Sequence, residues 1–376
     1  MDVHSSESIF NFLFACARLI IPLREHGITK RILIILYFLI TNGALLLCIG
    51  IEFYATERKD IIKHILEFVA VFVAFWKFTD FLLKVDKMTT LTHSILELEK
   101  EINDAEMEGY LSERISFGKN LCRVFMTLKF WTWIGALISV LLTKQLAFPM
   151  WFPLDWEGST LNYYIVVSFQ FVSYAGLVFQ DTISDLTRLM YVLIMSGHLH
   201  ALGIKVSRIG YTDPYNWHNN NVELNKCIQR HQIIIRIVDE LNAIISKTYL
   251  VVLIVVEINI CGSFYQVLFL GEEAYMKACL IAYAVSLSIS TGLQCFFGSE
   301  IQDKSERFME AIYCCNWPDQ DQKFKKSLLI LMTRSRKDIL IMAGGVMPVS
   351  LPTCLVVSFV NKMLGFLNRL FQKLQV

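Results

Sequence analysis

The sequence predicts an all-α membrane protein: seven transmembrane helices, a cytoplasmic N-terminus, and cytoplasmic helical extensions forming an anchor bundle. Three observations carry this. Of 376 residues, 55% are hydrophobic and 18% charged, with mean hydropathy +0.47, whereas soluble domains run nearer a quarter charged. The apolar residues fall in runs long enough for a ~30 Å hydrocarbon core at 1.5 Å rise per residue. Lys and Arg are segregated between alternate connecting segments.

Spans are expected near 32–51, 64–83, 124–146, 161–183, 248–270, 276–299 and 346–371. Ile32 to Ile51 is the cleanest, with one charge-free run up to its end. The second carries Glu67, Lys77 and Asp80, and the last is interrupted by Gly344, Gly345, Pro348 and Pro352. Residues 1–31 show only a short apolar stretch broken by Asn11 and Arg18, which reads as an interfacial or packed helix rather than a cleavable leader.

Orientation follows from the basic residues. Twenty-five of the 35 Lys and Arg lie in 1–31, 84–123, 184–247 and 300–337, and six lie in the alternate segments and the C-terminal tail. The N-terminus is therefore expected inside and the C-terminus outside. This is the reverse of a G-protein-coupled receptor. The chain has no N-x-[ST] sequon, and none of its ten cysteines falls in an outer loop. The cysteines read as reduced, buried, structural thiols. A net charge of +1 gives no sign of nucleic acid binding.

The inner segments continue the helical period. Ile183, Leu186, Leu189, Met190 and Leu193 form one stripe, Leu224, Ile228, Ile234, Val238 and Leu241 a second, and Phe324, Leu328 and Leu331 a third. Such stripes must bury, either within one chain or between subunits, and a bundle of helical extensions is the economical answer. Gly210 to Asn221 is polar and turn-rich and is expected to be mobile. The Gly and Pro cluster at 344–352 predicts a last helix in two pieces, near 320–342 and 349–371. Such a break is either a plain kink or a device beside a permeation path.

The stretches Ala311-Ile312-Tyr313-Cys314-Cys315-Asn316-Trp317, Lys325-Lys326-Ser327-Leu328-Leu329-Ile330-Leu331-Met332-Thr333-Arg334-Ser335, Ala343-Gly344-Gly345 and Pro348-Val349-Ser350-Leu351 with Thr353 resemble the C-terminal signature of insect odorant receptors. The resemblance implies a tuning subunit of a ligand-gated, non-selective cation channel. It would assemble with a co-receptor subunit as a heterotetramer in the plasma membrane of a sensory neuron dendrite. It implies four regions: a cytoplasmic segment 1–31, a six-span ligand-binding bundle 32–299, anchor helices 300–345, and a pore-lining seventh helix with extracellular C-terminus 346–376. Gate candidates on that helix are Leu367, Leu370 and Phe371. The sequence departs from the family pattern at Asn361-Lys362-Met363-Leu364, and Lys362 and Arg369 add cations to the last helix.

The ligand would be a small volatile held among the outer halves of spans two, three, four and six. Candidate ligand-binding residues are Phe68, Phe72, Ile138, Ser139, Leu142, Tyr164, Ser168, Phe171 and Tyr174, with Tyr163, Val167, Gln170, Tyr283 and Ser286 nearby in the sequence pattern. Each aromatic taken singly also fits lipid contact or helix packing. Lys77, Asp80, Lys129 and Glu257 suggest an inward polar network or a gating element. His198 and His200, two apart on a helix, point to different faces and make a poor metal pair. No catalytic set, phosphate loop, cofactor motif or metal site is evident, so an enzyme is not expected. A gustatory-type channel, a metabotropic seven-span receptor and a transporter are the alternative readings.

Overall fold

A computed structural model describes residues 6–18, 42–55, 61–102, 104–144, 150–156, 158–269 and 274–357, with a few isolated positions between them. Leu367, Leu370 and Phe371, part of the first predicted span and most of the last, lie outside the described residues.

The helices run in chain order as α1 (Glu7–Arg18), α2 (Ala44–Ala55), α3 (Ile61–Lys100), α4 (Ala105–Thr143), α5 (Thr160–Ser207), α6 (Trp217–Phe269), α7 (Ala274–Tyr313), α8 (Gln322–Ser335) and α9 (Leu351–Val357). The short strands β1 (Met342–Ala343) and β2 (Met347–Pro348) precede α9. Predicted spans two, three and four lie in α3, α4 and α5, and spans five and six in α6 and α7. Helices α4, α5, α6 and α7 are each long and apolar enough to cross a membrane. "Inner" below means the side with most Lys and Arg.

Each long helix continues past its span on the inner side, as the hydrophobic stripes required. Helix α5 is the axis of this bundle: every residue from Thr182 to Leu199 is buried. Helix α1 packs against the bundle, burying Ile9, Phe10, Leu13 and Ala17 at helical spacing, with the Phe10 and Tyr191 ring centroids 4.7 Å apart. Asp104 caps α4 by accepting from the Glu106 and Met107 amides, and Asp321 caps α8 by accepting from the Phe324 amide. At the other end of α3, the Arg230 guanidinium donates to the Leu98 carbonyl at 2.6 Å.

The turn-rich segment from Gly210 to Asn221 is ordered, contrary to the expectation of mobility. Its partners come from the α7–α8 connection. Asn220 Nδ2 donates to Gln320 Oε1 at 3.0 Å, Asn221 Nδ2 to Asp321 Oδ1 at 2.9 Å, and Asn316 Nδ2 to the Gly210 carbonyl at 3.0 Å. The run of polar residues is an interlock between two inner turns.

The break before the last helix is a β-hairpin rather than a kink. Met342 pairs with Pro348 and Ala343 with Met347. Gly344 and Gly345 take φ of +62° and +70°, a region open to glycine and costly for other residues. Helix α6 grips the hairpin: Asn242 Oδ1 accepts from the Met342 amide, and the Ser246 carbonyl and hydroxyl accept from the Gly344 and Gly345 amides. Pro352 falls in the first turn of α9, where a missing amide costs nothing.

All ten cysteines are free, and eight are buried or half-buried. Cys279 and Cys314 are exposed, a difference from the all-buried expectation.

Candidate functional site

The outer halves of α4 and α5 face each other along matched stripes. Trp133, Ala136, Leu137 and Val140 on α4, and Val167, Gln170, Phe171 and Tyr174 on α5, repeat at i, i+3, i+4 and i+7 and enclose a cavity of about 30 Å³. The Trp133 and Phe171 rings stack with centroids 3.9 Å apart and planes 22° from parallel, while Trp133 Nε1 donates to the Phe171 carbonyl at 3.3 Å. Above them, the Tyr163 hydroxyl donates to the Val140 carbonyl at 3.0 Å. The volume suits one or two waters, whereas ligand sites run to roughly 300–1,000 Å³. A ligand would have to displace the stacked rings.

Phe171 and Tyr174 line this cavity. Phe68 packs beside Tyr174 in a cluster with Leu45, Ile49, Val71, Met150 and Leu177. Phe72 stacks with Phe68 at 6.2 Å but is largely exposed. Ile138, Tyr164 and Ser168 are exposed on the bundle surface and do not line the cavity. The side chains of Ser139 and Leu142 lie outside the described set. Of the neighbouring residues, Val167 and Gln170 line the cavity. Trp133, Ala136, Leu137 and Val140 were not singled out from sequence, although their spacing with Tyr163 and Phe171 carries the signal. Glu67 of α3 lies within electrostatic reach of both Tyr174 and Tyr283, which brings spans two, four and six together behind the cavity.

Two turns inward on α5 is a buried ion network. Lys77 of α3 forms ion pairs with Asp181, and with Asp185 at 3.0 Å. Asp185 also holds Arg188 and accepts a 3.4 Å contact from the Ser290 hydroxyl of α7. One turn further along α3, Asp80 pairs with Lys84 at 2.8 Å and accepts from Thr248 of α6 at 2.6 Å. The inward polar network expected from Lys77 and Asp80 therefore exists, but Lys77 is neutralised from α5.

The inner bundle buries two histidines, His198 and His231. Burial, reinforced by Arg334, lowers the His231 pKa to about 4, and its ring stacks on Phe308 at 4.7 Å. Burial also lowers the His198 pKa, although Glu99 stands 3.7 Å away. His200 lies against Tyr110 instead. Among the described residues, no group of His, Cys, Asp and Glu has metal-binding geometry. A second groove of about 170 Å³, between Glu97 of α3, Glu101 just past its end, and Arg236 and Glu240 of α6, lies in this inner bundle and is polar.

Comparison with known proteins matches a family model described as 7tm Odorant receptor to residues 59–359. The chain belongs to the 7tm odorant receptor family. The match includes both the cavity and the hairpin. The receptor is 25% identical over 281 residues to Odorant receptor 23a of Drosophila melanogaster, covering 74% of this chain and 73% of that one. It is 26% identical over 275 residues to Odorant receptor 59a of the same species, covering 68% of each. Its fold matches the solved insect olfactory receptor OR5 from Machilis hrabei with TM-score 0.80 at 12% identity, covering 98% and 99% of the two chains. The same OR5 solved in complex with eugenol matches equally well. The receptor thus has the all-α, seven-span membrane fold, and its relatives are receptors rather than enzymes.

Proposed function

We propose that this receptor is an odorant-sensing subunit of a ligand-gated, non-selective cation channel in the plasma membrane. It takes a small volatile between α4 and α5 and opens a central pore in a heterotetramer with a co-receptor subunit. Its N-terminus is cytoplasmic, as the distribution of Lys and Arg indicates.

The observation that carries the ligand reading is the cavity at Trp133, Phe171 and Tyr174: apolar, aromatic, with Gln170 as a polar anchor. Aromatic stacking fits a flat ring slipping between Trp133 and Phe171. The eugenol complex of OR5, a protein of the same fold, is consistent with such a ligand. Phe68, Phe72, Ile138, Ser139, Leu142, Tyr164 and Ser168 are the remaining proposed contacts; those now exposed would reach a ligand only if the helices shift. Leu367, Leu370 and Phe371 are the proposed gate. The four regions divide as 1–31, the ligand-binding 32–299, the anchor 300–345 and the pore-lining 346–376.

The test is two-electrode recording from cells expressing this chain with and without an insect co-receptor, against an odorant panel, with G-protein signalling blocked. Current that needs the partner and survives the block supports the channel reading. An extracellular N-terminal tag, or responses abolished by the block, would instead favour a metabotropic receptor.

A further inference from the structure

We propose that Lys77, Asp181, Asp185 and Ser290 form the switch that carries ligand occupancy from the outer cavity to the base of the last membrane helix. This rests on the channel reading above and specifies how the site acts. All four are positioning residues, since none of them lines the cavity.

The input side is a single rod. Tyr174 lines the cavity and Asp181 lies seven residues further along α5, about 10 Å away at 1.5 Å per residue. Any tilt or rotation of α5 that admits a ligand beside Phe171 and Tyr174 must move Asp181 and Asp185 against Lys77 of α3.

The geometry admits two discrete arrangements of the network. Asp181 and Asp185 are one helical turn apart, and Lys77 bridges both. Arg188 already holds Asp185, so Asp185 stays neutralised if Lys77 lets go of it. Lys77 is thus either shared between the carboxylates or held by Asp181 alone. Both states keep every charge paired, which makes them close in energy and distinct in geometry, as a switch requires. Asp181 is the more open member, with 24% of its side chain exposed against 7% for Asp185. Stability does not demand this arrangement, because buried ion networks replaced by packed apolar groups are often no less stable. Ionisable groups at membrane depth are costly and mark function.

The output side is equally continuous. Ser290, which donates to Asp185, sits on α7 nine residues before Ser299. Ser299 Oγ accepts from the Leu351 amide at 2.7 Å, at the first residue of α9. Release of Asp185 by Lys77 therefore loosens the contact that holds α7, and with it the seat of α9.

The test measures standing inward cation current, defined by replacing external sodium with N-methyl-D-glucamine, in cells expressing the full chain with an insect co-receptor. Surface abundance is matched by biotinylation. Asp181→Asn removes the carboxylate that holds Lys77 in the released state, so it should lower ligand-independent current roughly fivefold, the low end of usual allosteric couplings, and Asp181→Glu should keep it near wild type. Ser290→Ala keeps every ion pair but removes the α7 contact with Asp185, so it should shift the current the opposite way, upward, by less. Standing current within twofold of wild type in both Asp181→Asn and Ser290→Ala overturns the switch. If Asp181→Asn does not reach the surface, Ser290→Ala decides alone. A wild-type pair that gives no cation current to any odorant, where the co-receptor by itself conducts, defeats the channel reading instead, so the two failures are separable.

Discussion

Gly298 on α7 lies flat against Val349 at the end of the hairpin, and a Cβ at position 298 would run into the Val349 carbonyl. The obstacle is backbone, fixed in turn by the Val349 amide bonding the Ile341 carbonyl at 2.8 Å. Neither neighbour can give way. Gly298→Ala is expected to cost about 1–3 kcal/mol as an overpacking substitution, seen as a lower melting temperature in detergent. Gly292→Ala, six residues earlier on the same helix with nothing within 4 Å of its Cβ, should be neutral or gain up to about 1 kcal/mol. Equal melting temperatures for the two variants would show that α7 does not seat the last helix this tightly.

Trp133 and Phe171 close the cavity by stacking, so Trp133→Ala should both open it and remove one face of the ligand slot. Stacking of this kind contributes about 0.5–1.5 kcal/mol beyond burial, so the loss in potency for flat aromatic volatiles should be roughly tenfold or more. Bulky aliphatic volatiles should lose less or gain. Trp133→Phe should lie between the two. Concentration–response curves for both ligand classes check this, and a uniform shift across them would place Trp133 outside the slot.

Much of the architecture was readable because its signals are local. A stripe such as Ile183, Leu186 and Leu189 declares its own burial. The features that escaped are those whose partners are distant in sequence. Asn220 looks like a loop residue until Gln320, one hundred positions later, supplies its acceptor. Lys77 was read with Asp80, its neighbour three residues on, whereas Asp185, 108 residues away, takes its hydrogen bond. Gly344 and Gly345 announced a break, but two-residue strands leave no period to read. Trp133 carries no such local signal, because the cavity sits one turn deeper on α4 than Ile138 and Leu142.

His231 gives a pH prediction. Its folded pKa is about 4, against an ordinary 6.5, because burial and then Arg334 oppose its charged form. A histidine with a depressed pKa contributes stability that is complete above pH 6.5 and is lost as pH falls toward 4, because the unfolded chain binds the proton first. The full loss is about 3 kcal/mol at 1.36 kcal/mol per pKa unit. Purified receptor should therefore melt lower at pH 5 than at pH 7.5. His231→Phe, which can keep the stack on Phe308, should flatten that difference. Unchanged pH dependence in His231→Phe would put the acid lability elsewhere.

The outward face of α8 gives the last prediction. Phe324, Leu328 and Leu331 turn inward and are buried, while Leu329 and Ile330 stand 64% and 68% exposed on the opposite side. Val346 at the hairpin tip is exposed as well, so these three expose apolar surface on adjacent elements of the inner bundle. Water-facing apolar clusters of this kind mark contact surfaces, and in the heterotetramer proposed above they would meet a neighbouring subunit. Leu329→Glu with Ile330→Glu removes apolar area without touching the buried stripe. The double variant should keep its monomer melting temperature within a few degrees of wild type, since surface changes usually stay near 0.5 kcal/mol. It should lose co-assembly with the co-receptor, read by co-purification and native electrophoresis, and with it the odorant-evoked current. Normal co-assembly in the double variant would move the subunit contact to another face of the bundle.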